Sequence, residues 1–382
     1  MKFRVERDVL AEAVAWTARS LPSRPPVPVL AGVLVEAESS GAAGLRLSGF
    51  DYEVSARVEV DADVSEPGRV LVSGRLLADI ARSLPARPVE VVTEGSKVVV
   101  TCGNTRFTLL TMPVDDYPTL PTMPTASGTV AGEVFASAVG QVAVAAGRDD
   151  TLPVLTGIRV EIDGEKLTLV ATDRYRLAAR ELTWAPEQSG LTAVALVPAR
   201  TLDGTAKALT SGDKVTVALA SSVQGEGLVG FEAGGRRTTT RLLEGEFPKY
   251  RTLFPKESTT VARLDTAPFV EAVKRVSLVA ERNTPVRLGF RGGECVLEAG
   301  TGEEAQASEA IDARLDGDDI SIAFNPAFLL DGLTAIDAPV ARLAFTIPTK
   351  PAVITGCADS DINSDAEQSD YRYLIMPVRL SG

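Results

Sequence analysis

The sequence repeats itself three times, and this repeat limits the folds that the chain can adopt. Helix-like stretches, each preceded by a short apolar segment, begin at Ser73, Pro198 and Pro326, about 125 residues apart. A second helical pattern, with apolar residues at i, i+1, i+4 and i+5, opens each copy at Asp8–Val14, Glu133–Val139 and Ala267–Val273. We therefore interpret the chain as three copies of one structural unit.

Each unit combines its two helices with several strands. Alternating residues between the helices predict strands at Gly44–Ser48, Lys166–Val170 and Glu294–Glu298. The apolar segments before the second helices predict further strands at Gly68–Val72, Ala193–Val197 and Ile320–Phe324. The order strand, helix, strands, helix, strands indicates an α+β fold with antiparallel meanders.

Proline-rich stretches at residues 117–124 and 247–255 separate the three units. We predict three domains, over residues 1–122, 123–254 and 255–382. The segment from Gly356 to Asp370 is acidic and polar, which predicts an exposed loop before the last strand. The pairs Gly234-Gly235 and Gly292-Gly293 predict hairpin turns.

Composition excludes several classes of protein. The chain has no histidine, which removes histidine-based triads and histidine-containing zinc sites. Cys102, Cys295 and Cys357 lack disulfide or zinc spacing and are expected to be free thiols. We predict no catalytic residue, metal or cofactor. The first residues alternate charged and apolar groups, unlike a signal peptide, and no apolar run could span a membrane, so we expect a cytoplasmic protein.

The formal net charge is −12, from 39 basic and 51 acidic side chains. This balance argues against a surface that binds nucleic acid everywhere. The predicted helices are about neutral or slightly basic, so most of the negative charge lies outside them. Any contact with DNA would need the locally basic face that these helices could form.

Four segments together carry a resemblance to a known family: Leu21–Leu30, Ala171–Ala178, Glu246–Tyr250 and Tyr373–Leu380. They resemble the bacterial sliding clamps, the β subunits of the replicative DNA polymerase, and the resemblance covers essentially the whole chain. Phe50–Ser55 and Ala146–Leu155 are most similar to actinobacterial members.

The resemblance implies a clamp fold of three domains that closes as a head-to-tail ring dimer, with helices inside and antiparallel sheets outside. Such a homodimer would encircle duplex DNA as a polymerase processivity factor and would not be an enzyme. Its DNA contacts would go to phosphates, which carry no sequence information. The candidate DNA-binding residues are Arg24, Arg75, Arg82, Arg148, Arg200, Lys207, Lys274, Arg275 and Arg282.

The resemblance also implies a pocket between the second and third domains that binds short peptides of partner proteins. The expected partners are the replicative polymerase α subunit, the clamp loader, repair polymerases, ligase and mismatch-repair proteins. Arg174 and Tyr175 stand where proteobacterial members carry Gly and His, so this pocket is expected to be bulkier. The candidate pocket residues are Leu155, Thr172, Arg174, Tyr175, Arg176, Leu177, Pro248, Thr252, Leu253, Phe328, Thr349, Pro351, Leu374, Ile375, Met376, Pro377, Val378, Arg379 and Leu380.

A dimer contact is implied in the same way. Phe107 and Leu109 would lie on an edge strand of the first domain, facing Leu278 and Val279 of the third domain of a second chain. Alternating Phe and Leu residues on a strand could equally face the core of their own chain.

Two other classes of protein stay open on the residues alone. An α+β enzyme could use the adjacent carboxylates Asp149-Asp150 or Asp115-Asp116, although both pairs stand in loop-like contexts. A scaffold built from repeats, with no DNA role, would share the threefold pattern and the acidic surface. A sliding clamp could also be a second, inhibitor-tolerant copy beside a housekeeping one.

Overall fold

The structure, a computed structural model, describes residues 1–39, 44–210, 213–219, 227–280, 284–300, 305–357, 359, 361–363 and 367–379. Two candidate residues, Arg282 and Leu380, lie outside the described residues. All statements below concern the described part of the chain.

Each of the three repeats contains two α-helices, at the places that the sequence predicts. They are α1 (Arg7–Ala18), α2 (Gly74–Ser83), α3 (Gly132–Ala143), α4 (Ala199–Ala208), α5 (Thr266–Val276) and α6 (Pro326–Thr334). The start of α6 shows why these positions were predictable. Asn325 Oδ1 accepts hydrogen bonds from the N–H groups of Ala327 (3.0 Å) and Phe328 (3.2 Å), and Pro326 occupies the first turn, where no N–H is needed.

The described residues also form nine strands in each repeat. The first repeat has β1 (Lys2–Val5), β2 (Gly32–Ala37), β3 (Leu45–Phe50), β4 (Val54–Val60), β5 (Asp63–Glu66), β6 (Gly68–Ser73), β7 (Val89–Glu94), β8 (Lys97–Cys102) and β9 (Thr105–Met112). The second has β10 (Gly128–Ala131), β11 (Gly157–Asp163), β12 (Lys166–Thr172), β13 (Arg176–Thr183), β14 (Ala185–Pro186), β15 (Thr192–Pro198), β16 (Lys214–Leu219), β17 (Leu228–Ala233) and β18 (Arg236–Arg241). The third has β19 (Thr260–Asp265), β20 (Val286–Arg291), β21 (Glu294–Ala299), β22 (Ala307–Asp312), β23 (Arg314–Asp316), β24 (Ile320–Phe324), β25 (Val340–Phe345), β26 (Ala352–Cys357) and β27 (Glu367–Ile375).

The chain divides into two compact units, and each has its own sheets. The first unit comprises Met1–Phe135, Ala185–Gln188 and Gly204–Leu242. Its fourteen strands run in the order β14-β10-β16-β17-β18-β4-β3-β2-β6-β9-β8-β7-β1-β5. The antiparallel pair β18 and β4, in which Thr240 lies opposite Val54, joins strands of the second repeat to strands of the first.

The second unit comprises Ala136–Trp184, Ser189–Asp203 and Leu243–Gly382. One of its sheets has nine strands in the order β15-β11-β12-β13-β27-β26-β25-β19-β23, and the other has four in the order β22-β21-β20-β24. The last strand of the chain, β27, lies in the middle of the larger sheet. Leu374 on β27 is paired with Leu177 on β13, so this strand joins the third repeat to the second.

Several local predictions are confirmed. Both glycine pairs have positive φ, at Gly234 (55°), Gly235 (74°), Gly292 (59°) and Gly293 (88°), as two-residue hairpin turns require. All three cysteines are free and buried.

The predicted loop from Gly356 to Asp370 is shorter than expected, because β26 continues to Cys357 and β27 begins at Glu367, and these two residues pair with each other.

Gly332 offers a test of how tightly α6 packs on β27. A Cβ atom at Gly332 would lie 2.4 Å from Cε1 of the buried Tyr373 ring, whereas a Cβ at Gly204 on α4 would meet no atom within 4 Å. We expect Gly332→Ala to destabilise the protein by about 1–3 kcal/mol through overpacking. Gly204→Ala should stabilise it by about 0.5–1 kcal/mol, because Ala is the better helix former. Urea denaturation of both variants measures the difference, and equal stabilities would contradict the close contact.

Candidate functional site

The turn between β12 and β13 places several candidate residues. Asp173 Oδ1 accepts hydrogen bonds from the backbone N–H groups of Tyr175 and Arg176, both at 3.1 Å. Thr172 Oγ1 donates to the Arg176 carbonyl at 2.6 Å. Arg174 has a φ of 80°, which is uncommon for a residue other than glycine and costs about 1 kcal/mol or more. The turn holds the Tyr175 side chain at the surface, where it is 56% exposed.

Arg176, the first residue of β13, is only 5% exposed and lies at the centre of a polar network. Its Nε donates to Asp173 Oδ2 at 3.0 Å, and its Nη1 donates to Asp331 Oδ2 on α6. Nη1 also lies 3.5 Å from the Tyr373 hydroxyl on β27. Burial alone would lower the pKa of Arg176, but Tyr373, Asp331 and Asp173 more than offset this and raise it. The guanidinium therefore stays charged and links three elements.

Phe328 on α6 lies between two of these candidate side chains. The guanidinium carbon of Arg176 stands 4.2 Å from the centre of the Phe328 ring, a cation–π contact. On the surface, Tyr175 stacks on Phe328 with ring centres 6.3 Å apart. The Tyr373 hydroxyl donates to the Phe328 carbonyl at 2.8 Å. These contacts fix the position of the aromatic pair Tyr175 and Phe328.

The end of the chain runs beside this aromatic pair. The Met376 N–H donates to the Tyr175 carbonyl, and the Val378 N–H donates to the Ala323 carbonyl, both at 2.8 Å. Met376 is 40% exposed and Val378 is exposed as well, whereas Leu374 and Ile375 are buried in the sheet. We call the surface formed by Tyr175, Phe328, Met376 and Val378 the tail patch.

A second segment, residues 247–254, packs next to the same strands. Tyr250 shares a core cluster with Leu177 and Leu374, and Phe247 and Phe254 pack against that cluster. The Tyr250 hydroxyl donates to Glu161 Oε2 at 3.0 Å, and burial together with this bond raises the pKa of Tyr250 to about 12. Pro248, Thr252 and Leu253 remain exposed on this anchored segment.

Glu161 is the carboxylate that holds the segment in place. It also accepts hydrogen bonds from Arg159 Nε and Arg251 Nη2, both at 2.6 Å. Burial would raise the pKa of Glu161, but the three hydrogen bonds outweigh it and lower the pKa. The segment 247–254, which carries Pro248 and Leu253, is therefore held in place by the ionised Glu161 carboxylate and its three hydrogen bonds.

The remaining candidates lie on neighbouring turns. Leu155 is half-buried in the turn Pro153–Thr156, beside β12. Thr349 and Pro351 lie in the turn between β25 and β26, and Pro351 precedes Ala352, which is paired with Ile375. Sequence reasoning missed Ile347, whose exposed side chain lies in that turn, and missed Asp331 and Tyr373, which carry the Arg176 network. Three segments near the end of β27 thus carry exposed apolar side chains, those of Leu253, Ile347 and Met376.

One carboxylate of each pair considered for catalysis serves local structure. Asp149 Oδ1 accepts from the Thr151 N–H (3.0 Å) and Oγ1 (2.7 Å), and these hydrogen bonds lower the pKa of Asp149. Asp115 pairs with Arg69 at 3.3 Å on the surface. Among the described residues, no group of three or more Cys, Asp or Glu side chains could hold a metal ion. No described helix is both long enough and apolar enough to cross a membrane.

The eight described DNA-binding candidates are all exposed, but their charges differ in availability. Lys274 pairs with Glu271 at 2.8 Å, and Arg275 pairs with Glu309 at 2.5 Å. Arg82 lies 3.8 Å from Asp79. Four candidates form no ion pair within the described part of the chain: Arg24, Arg75, Arg148 and Arg200. Their positive charges are therefore more available to DNA than those of Arg82, Lys274 and Arg275.

The dimer candidates divide into exposed and buried residues. Leu278, in the 3-10 turn after α5, is 85% exposed, and Val279 and Phe107 are half-buried. Leu109 is only 2% exposed because it lies opposite Val98 on the core side of β9, whereas its neighbour Leu110 is 71% exposed. In this chain Leu109 therefore faces its own core, as the alternation of the strand allowed.

Comparison with known proteins agrees with this architecture. Three family models match the chain in order: the N-terminal domain of the DNA polymerase III beta subunit at residues 1–121, the central domain at 129–249 and the C-terminal domain at 251–379. The chain belongs to the DNA polymerase III beta subunit family, the sliding clamps of bacterial DNA replication. It is accordingly a processivity factor with the clamp fold and has no catalytic activity of its own.

The similarity extends over the full length of named relatives. The chain is 67% identical to the "Beta sliding clamp" of Streptomyces coelicolor over 382 residues, covering 100% of both proteins. It is 53% identical to the "Beta sliding clamp homolog GriR" of Streptomyces muensis, covering 99% of both. A sliding clamp of Pseudomonas aeruginosa bound to griselimycin superposes with a TM-score of 0.89 at 27% identity, covering 100% of both chains.

The Tyr373 hydroxyl offers a test of the network beneath the tail patch. Tyr373→Phe removes the donor to the Phe328 carbonyl and a neighbour of Arg176, so we expect a loss of stability of about 1–2 kcal/mol. Tyr175→Phe is the matched control, because the Tyr175 hydroxyl donates no hydrogen bond to the described residues, and it should change stability by less than about 0.5 kcal/mol. Chemical denaturation compares the two variants. A Tyr373→Phe protein as stable as the control would show that the network contributes nothing.

Proposed function

We propose that two copies of this chain close head to tail as a ring around duplex DNA and tether the replicative polymerase to it. The observation that carries the proposal is the threefold unit of two helices and nine strands, matched along its length by the three clamp domains. In the proposed domain scheme the units span residues 1–122, 123–254 and 255–382. A repeat that continues head to tail either closes as a ring or grows as a filament, and two chains of three units close it.

In this proposal the contact between chains is made by Phe107 and the strand that carries it, facing Leu278 and Val279 of the partner subunit. The exposure of Leu278 supports this assignment, because an apolar side chain so open to water gains most from burial. Leu109, on the same face of β9 as Phe107, would support the contact from the core, whereas the exposed Leu110 lies on the opposite face.

DNA would pass through the ring in contact with basic side chains of the helices and adjacent turns. Arg24, Arg75, Arg148 and Arg200 are the strongest candidates, because no described carboxylate neutralises them. Contacts to phosphates alone would let the ring slide without sequence preference. We place this activity in the cytoplasm, where bacterial DNA is replicated.

The tail patch, with Leu253 and Ile347 beside it, would bind short peptides of the polymerase α subunit, the clamp loader, repair polymerases, ligase and mismatch-repair proteins. An apolar surface with a few fixed polar groups is what such recognition needs. The relative bound to griselimycin supports the proposal, because it shows a clamp of the same fold holding a ligand. The similarity to the clamp homolog GriR, together with the griselimycin-bound relative, fits the alternative that this chain is a second clamp copy.

Retention on DNA tests the ring. A clamp loaded on nicked circular DNA should stay bound and should be lost once the circle is cut, because a closed ring leaves only over an end. Leu278→Asp should give monomers in sedimentation velocity, since a charge in an apolar contact is costly, and should abolish retention. Val194→Asp, at another exposed apolar position, is the control and should leave the dimer intact. Equal retention of the normal protein on circular and linear DNA would exclude the ring.

Removal of the chain end tests the peptide site. A protein that stops before Met376 keeps β27 and should still form the dimer. It should lose binding of a partner peptide of the kind that the family resemblance implies, with a Gln followed by Leu and Phe-type anchors. Met376→Ala alone should weaken binding by about 1–2 kcal/mol, as expected for a central anchor. Isothermal titration calorimetry measures both. Full affinity in the truncated dimer would place the site elsewhere.

A further inference from the structure

Four exposed cations lie on segments that form or adjoin the tail patch. Arg174 precedes Tyr175 in the β12–β13 turn, and Lys249 lies between Pro248 and Tyr250. Lys350 lies between Thr349 and Pro351, and Arg379 follows Val378. Each of the four segments that border the patch thus contributes one positive side chain, and we call this set the basic rim.

The basic rim differs from the other cations of the same region. Arg176, Arg180 and Arg251 pair with Asp331, Asp370 and Glu161, and Arg372 lies 3.8 Å from Glu181. None of the four rim residues forms an ion pair with any described residue. The paired arginines therefore hold the structure together, and the rim charges remain available to a ligand.

The surrounding charge makes the rim distinctive. The whole chain carries a formal net charge of −12, so an acidic peptide is repelled by most of the surface. Of the nearby carboxylates, Asp173 is bound to Arg176, whereas Asp149 interacts electrostatically with Arg174 and offsets part of its charge.

We propose that the basic rim selects partner peptides whose apolar anchors are flanked by Asp or Glu residues. The inference rests on the proposed peptide site and adds the charge class of its ligand. The apolar anchors would supply most of the affinity on the tail patch, and the flanking carboxylates would supply discrimination and a faster approach. Arg174 would take part while its strained backbone holds it beside Tyr175, 6.0 Å from that ring.

Two peptides with the same Gln, Leu and Phe anchors test the proposal, one flanked by Asp and Glu, the other by Asn and Gln. Binding to the full-length protein is measured by fluorescence anisotropy at about 50 mM and about 500 mM NaCl. We expect the acidic peptide to bind about five- to tenfold more tightly at low salt, as two or three exposed ion pairs would give. At high salt the ratio should fall below about twofold, because the charges are screened.

Charge reversal identifies the side chains responsible. Lys249→Glu with Lys350→Glu should bring the ratio of the two affinities to one or below. Arg287→Glu with Arg291→Glu on β20 changes the net charge equally and should leave the ratio unchanged. Equal affinity of both peptides for the unmodified protein at low salt would overturn the selection by charge and leave the peptide site standing. Failure of both peptides to bind would overturn the peptide site itself.

Discussion

The buried guanidinium of Arg176 joins parts of the second compact unit that are far apart in the sequence. It binds Asp173 in its own turn and Asp331 on α6, and it lies beside Tyr373 on β27. A charge removed from water is tolerated only when its partners are all in place. Because Phe328 lies on this guanidinium and Tyr175 stacks on Phe328, the tail patch depends on the polar network beneath it.

The fold was largely accessible from the sequence because its signals are local. Period and spacing gave both helices of every repeat, and Asn325 with Pro326 marked the start of α6. Side-chain pairing across repeats gave no such signal. Asp331 was one acidic residue among many, and only the packing of α6 on β27 brings it to Arg176. Likewise, alternation on β9 showed that neighbouring residues face opposite ways, but only pairing with β8 decides that Leu109 turns inward and Leu110 outward.

The chain contains the same strand junction twice, once in each compact unit: a tight turn whose backbone accepts a hydrogen bond from the end of a strand of the next repeat. In the first, Asp51 Oδ1 accepts from Glu53 and Val54, Tyr52 has a φ of 75°, and the Arg241 N–H donates to the Glu53 carbonyl. In the second, Asp173, Arg174 and Met376 occupy the matching places. The backbone arrangement is the same in both repeats, while the side chain at the end of the added strand differs: Arg241 ends β18, which pairs with β4, and the apolar Met376 follows β27, which pairs with β13. We assign the peptide site to the second junction, where the strand is followed by the apolar Met376.

The central position of β27 has a consequence for synthesis. A ribosome releases the N-terminal residues first, so β13 and β26 are made before the strand that must lie between them. Until residues 367–375 emerge, the nine-stranded sheet has a gap, and the aromatic pair lacks both the Tyr373 hydroxyl and the chain end beside it. A prematurely terminated chain would therefore fail in the sheet and at the tail patch simultaneously. The surface therefore forms only after residues 367–378 have been synthesised, so shorter products would not compete for the ligands of the folded protein.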